Sequence, residues 1–329
     1  MMPSSHHCAA ARRMLAAAAV ALLLCCRKSE APGPPAAAGH PAGAPQAAAP
    51  AAPSGEGASI RDAAEPNRPP FSGFHGARGI ALDGRGRVWL LDFEHAAVSV
   101  YDTGGGFHGG WGGKGDGPYQ LKDPCGIAVR GEDVYVADTW NGRVTRFTLA
   151  GAFQGKAPGD FYGPRGVAVA PDGRVWIADT GNDRAVVCEK DLSGPKYFGK
   201  KGDGPDQFSS PVGIAVGPSG HVYVADSANR RIQVIDADGR FRSRIPVKGW
   251  GPNTEPYVQV DARENLYVTD PAEQAVIELD RNGKEIKRWT ADDAGKKFSR
   301  PTGIALDEKN GVLWVVNTDL DTIVKLKLS

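Results

Sequence analysis

Residues 213–226 read GIAVGPSGHVYVAD, and this stretch decides the fold. Two short apolar runs, at 214–216 and 222–225, flank a turn that contains Gly and Pro. β-Branched and aromatic runs separated by turn residues predict a pair of antiparallel strands. Asp226 ends the second run and starts the next turn, so the stretch predicts a hairpin followed by a loop.

The same pattern recurs along the chain at a nearly constant period. Its copies end at residues 92, 138, 179, 226, 270 and 317, which gives spacings of 46, 41, 47, 44 and 47 residues. Segments such as RIQVID and AVIELD follow the copies and predict a third strand, and FRSRIPV and EIKRWT predict a fourth. Four antiparallel strands in about 45 residues are typical of one propeller blade. The sequence therefore predicts an all-β fold, a six-bladed β-propeller of four-stranded antiparallel blades over residues 59–329.

The ends of the repeat predict how the ring closes. The last copy stops after its third strand, at residues 322–328, and the first copy begins at an innermost strand near Gly79. We expect residues 59–70 (SIRDAAEPNRPP) to supply part of the missing outer strand of blade six, because joining the two chain ends removes an open sheet edge.

The first 26 residues resemble the signal peptide of a bacterial lipoprotein. Arg12 and Arg13 precede an apolar run at 14–24, which is the length of a signal-peptide core and too short to span a bilayer. Cys25 and Cys26 follow directly, and we predict lipidation at Cys26, or alternatively at Cys25. The other interpretation is ordinary secretion with cleavage nearby.

The next segment, residues 27–58, predicts a disordered linker. Ala, Pro and Gly make up 24 of the 28 residues from 31 to 58. Such a composition cannot bury a core, so the segment should be semi-extended. We therefore expect an exported chain in the cell envelope, attached to a membrane by its lipid anchor and facing away from the cytoplasm.

Charge and cysteine content narrow the possible functions. Lys and Arg total 39 against 38 Asp and Glu, a net charge of +1, so a nucleic-acid partner is not expected. Three of the five cysteines lie within the first 26 residues. The two in the repeats, Cys125 and Cys188, belong to different strands of different blades, and we expect them to be unpaired.

Two motifs in the repeats resemble the NHL-repeat family of β-propellers. A KGDGP segment at 114–118 recurs at 201–205, and an Asp, an Asn and an Arg follow the second strand at fixed spacing. The resemblance implies a propeller fold, whereas the family's functions range from binding modules to a few enzymes. We expect the repeated Asp and Arg to be architectural pairs, since an Asp holds turn amides while Arg pairs with it. The signature residues are Asp138, Asn141 and Arg143; Asp179, Asn182 and Arg184; and Asp226, Asn229 and Arg231.

Positions that differ between blades are the better candidates for a ligand site. In a propeller, the blade-joining loops and the loops between strands two and three emerge on one face, around the channel mouth. An exposed Trp with Arg neighbours suits a binding surface, although a cation–π stack without function is the alternative. The predicted ligand-binding residues are Arg78, Phe93, Glu94, His95, Trp140 and Arg165.

We therefore predict a non-catalytic binding platform for a protein, peptide or glycan, without catalytic residues, metal or cofactor. The histidines of the repeats, at 75, 95, 108 and 221, do not place three imidazoles on three blades, as a family zinc site would require. The alternative is a metal-dependent propeller enzyme, a lyase or lactonase-like hydrolase, with its site at the channel mouth. A pure spacer without a ligand is a third possibility.

Overall fold

The computed structural model describes residues 71–328, which form six antiparallel sheets in chain order. The predicted signal peptide at 1–26 and the linker at 27–58 lie outside the described residues. The same holds for Cys25, Cys26 and the predicted outer strand at 59–70. The six sheets confirm the predicted six-bladed β-propeller.

Each blade is an up-and-down sheet in which every strand pairs with the next one along the chain. Gly and Asp at the hairpin turns reverse the chain; Gly220, for example, has φ +84° between the first two strands of blade four. The strands of blades one to three are β1 (Ile80–Leu82), β2 (Val88–Asp92), β3 (Ala97–Tyr101), β4 (Phe107–Gly112), β5 (Gly126–Arg130), β6 (Asp133–Asp138), β7 (Arg143–Thr148), β8 (Phe153–Lys156), β9 (Gly166–Val169), β10 (Val175–Asp179), β11 (Arg184–Cys188) and β12 (Lys196–Phe198). Those of blades four to six are β13 (Pro211–Val216), β14 (Val222–Asp226), β15 (Arg231–Ile235), β16 (Phe241–Pro246), β17 (Val258–Val260), β18 (Leu266–Asp270), β19 (Ala275–Leu279), β20 (Glu285–Trp289), β21 (Pro301–Asp307), β22 (Val312–Asn317) and β23 (Thr322–Lys327).

The described chain has five short 3-10 helices in its loops. Glu308–Asn310 lies in the turn between the first two strands of blade six. Each of the other four follows the second strand of a blade: Thr139–Asn141, Thr180–Asn182, Ser227–Asn229 and Thr318–Leu320. Across residues 71–328, no helix has both the length and the apolar character needed to cross a membrane.

The first strands of the blades form the inner ring. Each lies beside the first strands of both neighbouring blades, and β21 of blade six lies beside β1 of blade one. We call the face that carries the blade-joining loops and the turns between second and third strands the top face. The turns between first and second strands lie on the opposite face.

The core consists of six apolar layers, each between two adjacent blades. Trp314 of blade six packs with Tyr101 and Leu90 of blade one, and five equivalent layers lie between the other pairs. A blade is thus covered on both faces, which explains why β14 is buried along its whole length and its sequence is a continuous apolar run.

Aromatic packing closes the seam between blades six and one. Phe71 lies 5.5 Å from the Tyr101 ring and 5.7 Å from the Trp314 ring, between centroids. Lys325 of β23 donates from Nζ to the carbonyl of Thr103 in blade one at 2.5 Å. Blade six has three strands among the described residues. That residues 59–70 supply its fourth strand stays a prediction.

Candidate ligand-binding site at the channel mouth

The Asp of the repeat signature ties the entry loop of its blade to the following turn. Oδ1 of Asp138 accepts the backbone N–H of Lys122 at 2.7 Å, and Oδ2 accepts Asn141 Nδ2 at 2.8 Å and Arg143 Nε at 2.7 Å. Asp179 and Asp226 make the same set of bonds in blades three and four. Burial raises the pKa of the Asp138 carboxyl, against the lowering effect of these hydrogen bonds.

The Arg of the signature holds the blade-joining loop. In blade four the Arg231 guanidinium donates to the carbonyls of Asp203, Gly204 and Gln207, at 2.6, 3.0 and 2.8 Å. Arg143 makes the equivalent bonds in blade two, and Arg184 donates to the Asp160 carbonyl in blade three. These side chains fix the loops of the top face, so the geometry gives them an architectural role.

The KGDGP loops use their own amides internally. The N–H of Gly117 donates to Gln120 Oε1 at 3.1 Å, and the N–H of Gly204 donates to Gln207 Oε1 at 3.0 Å. The motif is therefore a turn whose glycine amide donates to a Gln side chain and whose carbonyls accept hydrogen bonds from the signature Arg.

Glycines form the neck of the channel below the top face. A Cβ on Gly166 would lie 2.3 Å from the carbonyl oxygen of Val212, and one on Gly126 would lie 2.2 Å from that of Arg165. No side chain fits at such a distance, which explains why five of the six copies begin with Gly. Blade five has Tyr257 at this position.

The Tyr257 side chain closes the neck. Its hydroxyl donates to the backbone carbonyl of Cys125 at 3.0 Å, and blade two, which carries Cys125, lies opposite blade five in the ring. Burial raises the pKa of Tyr257 well above its ordinary value, so the phenol stays neutral and remains a donor at physiological pH. A cavity of about 190 Å³, lined by first-strand residues such as Ile127, Ile214 and Gln259, lies within the ring.

Two arginines from different blades meet on one carboxylate at the channel mouth. Arg78 Nη1 of blade one donates to both carboxylate oxygens of Glu255, at 2.5 and 2.6 Å. Arg165 Nη1 of blade three donates to Glu255 Oε1. Blade five thus supplies the acceptor for donors from blades one and three.

A third guanidinium lies beside the same carboxylate without hydrogen bonding to it. Arg300 Nη2 is 4.0 Å from Glu255 Oε2, and Arg300 Nε is 3.5 Å from Asp319 Oδ1. We call Arg78, Arg165, Arg300 and Glu255 the arginine cluster. Three guanidinium groups against Glu255 and Asp319 leave one positive charge in excess.

The field of the cluster keeps Glu255 ionised. Burial on its own would raise the pKa of the Glu255 carboxyl, but Arg165, Arg78 and Arg300 outweigh burial and lower the pKa below its ordinary range. Burial lowers the pKa of Arg78, and the negative charge of Glu255 more than offsets this effect. Glu255 and Arg78 are therefore both charged at neutral pH.

Among residues 71–328, Nε of Arg78 and Nε of Arg300 are buried and make no hydrogen bond; Arg300 Nε has only the ion-pair contact with Asp319 Oδ1 at 3.5 Å. An unsatisfied buried donor costs about 1–3 kcal/mol, and more when it is charged. The Arg78 guanidinium is also held over the Phe93 ring, 3.9 Å from its centroid, so its orientation is set by stacking as well as by Glu255.

Two exposed aromatic side chains belong to loops of the top face. Trp140, in the turn after β6, is 41% exposed, and Tyr162, in the loop between blades two and three, is 63% exposed. The two segments are joined, because Thr139 Oγ1 donates to the Pro164 carbonyl at 2.9 Å, one residue before Arg165. Trp140 and Tyr162 therefore belong to the loop segments that meet next to Arg165.

Two histidines lie on the top face at the seam of blades one and six. His95 donates its backbone N–H to Asp92, and its ring lies 2.7 Å from the same carboxylate. His75 Nδ1 lies 3.1 Å from Asp321 Oδ2, and this hydrogen bond raises the pKa of His75. The two rings are 5.5 Å apart between centroids. Between residues 71 and 328, no group of three or more His, Cys, Asp or Glu side chains is placed to hold a metal ion.

The structure brings some of the predicted site residues together and separates others. Arg78, Phe93 and Arg165 meet at the arginine cluster. Glu94 instead packs near Gly76, and His95 hydrogen bonds Asp92 of its own blade.

Three residues of the site were missed by the sequence reasoning: Glu255, Tyr257 and Arg300. A residue-by-residue alignment of the copies carries the signal for Glu255, which occupies the position of Pro or Ala in the other five blades. The residues at this position are Ala77, Pro124, Pro164, Pro211, Glu255 and Pro301.

The chain is a six-bladed propeller in which Asp, Asn and Arg side chains fix the loops of blades two, three and four. The family model for the NHL repeat matches residues 161–184 and 208–235, which include the signature residues Asp179 and Asp226. Blades three and four therefore carry matches to the NHL repeat, the family that the motifs of this chain resemble.

Solved structures with the same fold include enzymes and a calcium-binding protein. A streptogramin B lyase is 16% identical, with a TM-score of 0.57, over 78% of this chain and 94% of that one. A gluconolactonase from Xanthomonas campestris is 16% identical, with a TM-score of 0.59, over 78% and 87%. Regucalcin from Agrobacterium tumefaciens, a calcium-binding protein, is 14% identical, with a TM-score of 0.58, over 78% and 92%. Comparison with curated protein sequences gives no match. These identities show a shared fold.

Proposed function

We propose that the chain is a non-catalytic binding module that takes a protein, peptide or glycan on its top face. The observation that carries the proposal is the presence, on one face, of the exposed side chains of Trp140 and Tyr162 and of a charged, recessed arginine cluster. Aromatic and Arg side chains dominate binding energy at protein interfaces. A lipid at Cys26 or Cys25, followed by the linker, would hold this face away from a membrane in the cell envelope.

The test is a crosslinking pull-down from native envelopes with the full chain. The variant Trp140→Ala/Tyr162→Ala removes both exposed aromatic rings and leaves the arginine cluster intact. Loss of a hot-spot side chain costs about 2 kcal/mol or more, so we expect capture of the top-face partner to fall by more than about tenfold.

The control variant is Ile286→Ala. This side chain is exposed and apolar, but it lies on an outermost strand, β20. Capture should be unchanged in this variant. Equal capture by all three proteins would contradict the proposal.

A metal-dependent enzyme is the second candidate, supported by fold likeness to a lyase and a gluconolactonase. Metal analysis of the same purified chain distinguishes the two candidates. Stoichiometric zinc or calcium that survives dialysis, together with no partner lost in the aromatic variant, would favour the enzyme.

A further inference from the structure

We infer that the arginine cluster binds the C-terminal carboxylate of a peptide or protein, and that Glu255 is an internal carboxylate that occupies part of the cluster. The inference rests on the proposed function, since it names the chemical group that the top face recognises. It is carried by four features of the cluster: charge, available donors, preorganisation and depth.

Charge comes first. Two guanidinium groups hydrogen bond Glu255, while Arg300 lies 4.0 Å from it and makes no hydrogen bond to it. With Asp319 included, the group retains one positive charge in excess. A single carboxylate is the ligand that neutralises it, and the planar fork of Arg matches a carboxylate through two parallel hydrogen bonds.

Donor geometry supports the same ligand. Nε of Arg78 is buried and has no hydrogen-bond acceptor in the described chain, whereas Nε of Arg300 is buried and has only the ion-pair contact with Asp319 Oδ1 at 3.5 Å. A ligand carboxylate would supply the acceptor that Arg78 lacks and a second anionic partner for Arg300. Since Arg78 already lies 3.9 Å over the Phe93 ring, its guanidinium is preorganised.

The recessed position of the three Arg side chains favours one kind of carboxylate ligand. The side chains of Arg78, Arg165 and Arg300 are only 15%, 21% and 26% exposed. A carboxylate at the end of an extended chain is slender enough to reach such recessed groups, whereas one attached to a sugar ring is bulkier. The residues before the chain end would then run over the top-face loops that carry the exposed rings of Trp140 and Tyr162 and are joined next to Arg165.

Glu255 has a defined place in this scheme. Its carboxylate already holds Arg78 and Arg165 in position, so the site is formed before a ligand arrives. The same negative charge opposes the incoming anion. Neutralising Glu255 should therefore strengthen anion binding, whereas removing Arg300 should weaken it.

The experiment is a titration of the full chain, ¹⁵N-labelled, that follows the side-chain Nε–Hε resonances of arginine. The probes are N-acetylglycylglycine, which ends in a free carboxylate, and its C-terminal amide. We expect saturable shifts of the Arg78 and Arg300 signals with the acid, and at least tenfold weaker binding of the amide. N-Acetylglutamic acid α-amide, which carries only a side-chain carboxylate, should bind at least threefold more weakly than the acid.

Three variants test the predicted direction of change in carboxylate affinity. Arg300→Gln should weaken acid binding at least fivefold, and the substitution keeps the Arg300 backbone carbonyl, which accepts the N–H of Thr318. Glu255→Gln should tighten acid binding at least twofold. Arg242→Gln is the control, because Arg242 is exposed on β16 and pairs with Asp236.

Several outcomes would overturn the inference. These are equal binding of acid and amide, equal or tighter binding of the side-chain carboxylate, unchanged affinity in Arg300→Gln, or shifts produced only by glucuronate or inorganic phosphate. The proposed function has a separate readout. A partner lost from the Trp140→Ala/Tyr162→Ala variant, but captured equally by Arg300→Gln, would keep the binding module and reject carboxylate capture.

Discussion

The hydroxyl of Tyr257 in blade five donates to the backbone carbonyl of Cys125 in blade two, 3.0 Å away on the other side of the channel. Two residues earlier in sequence, Glu255 accepts hydrogen bonds from Arg78 and Arg165 of blades one and three. Blade five lacks the Asp–Asn–Arg signature, with Ala275 at the Arg position. Side chains of blade five reach across the channel mouth, in addition to the apolar layers that pack the blade against its two neighbours.

Removal of the Tyr257 hydroxyl tests this cross-channel tie. Tyr257→Phe keeps the ring and leaves the Cys125 carbonyl without that donor, so we expect a loss of about 0.5–1.5 kcal/mol in the free energy of unfolding. Chemical denaturation measures it. Tyr162→Phe, at an exposed ring, is the matched control and should change stability by less than about 0.5 kcal/mol. Equal effects would mean that the tie contributes nothing.

Glu255 should make the protein sensitive to acid. Its folded-state pKa lies below the ordinary value of 4.5 because Arg165, Arg78 and Arg300 overcome the effect of burial. A depressed carboxyl pKa contributes stability above the unfolded-state pKa, and this contribution is lost as pH falls through the folded-state pKa. Stability of the wild type should therefore fall with pH below 4.5.

The variant Glu255→Gln isolates this contribution. Loss of one partner from a buried ion pair costs about 3–5 kcal/mol, and the partial exposure of Glu255 places the expected loss at neutral pH near the lower end. The difference between variant and wild type should shrink below pH 4.5. Urea denaturation at a series of pH values measures it, and a difference that is constant with pH would contradict the assignment.

The glycine neck should not tolerate a methyl group. In Gly166→Ala the new Cβ would lie 2.3 Å from the Val212 carbonyl oxygen, so the strands must shift, at a cost of about 1–3 kcal/mol. Gly84→Ala is the control, since nothing lies within 4 Å of its Cβ position. Thermal denaturation of both variants tests this. The account is wrong if the two variants lose equal stability.

Arg231 should be needed to order the loop that enters blade four. Its guanidinium donates to Asp226 and to three loop carbonyls, so Arg231→Ala should cost about 3–5 kcal/mol and raise amide hydrogen exchange in residues 201–208. Arg240→Ala, at a 74% exposed side chain, should do neither. Unchanged exchange in the loop would argue against an architectural role.

The Cys188 thiol should be unreactive in the native protein. Burial raises its pKa to about 12, so almost no thiolate is present at pH 8. Alkylation followed by mass spectrometry of the peptide should show labelling only after denaturation. Labelling at the rate of a free thiol would show that the layer between blades two and three opens readily.

The number of blades and the role of the Asp, Asn and Arg signature could be predicted because both recur along the sequence. The motif around Asp138, Asp179 and Asp226 recurs with the same spacing, so each copy supports the interpretation of the others. The unpaired state of Cys125 and Cys188 also followed from strand placement and is confirmed; the structure adds that both are buried.

The centre of the candidate site was less predictable because it consists of exceptions to the repeat. Arg78 and Arg165 were identified as differing positions, but their acceptor Glu255 lies in the copy that departs most from the pattern. Arg300 has φ +55°, in the left-handed region, and an Arg in a sequence does not predict that conformation. Contacts between residues separated by 90 to 177 positions, as in these ion pairs, depend on ring closure, which local patterns do not encode.

Site-specific photocrosslinking tests most directly whether the top face is the ligand surface. A photoreactive phenylalanine would replace Trp140, Tyr162 or, as a control on an outer strand, Ile286 in the full chain within native envelopes. The account predicts one discrete adduct from the first two positions and none from the third. The same adducts from all three positions, or an adduct from Ile286 alone, would contradict it.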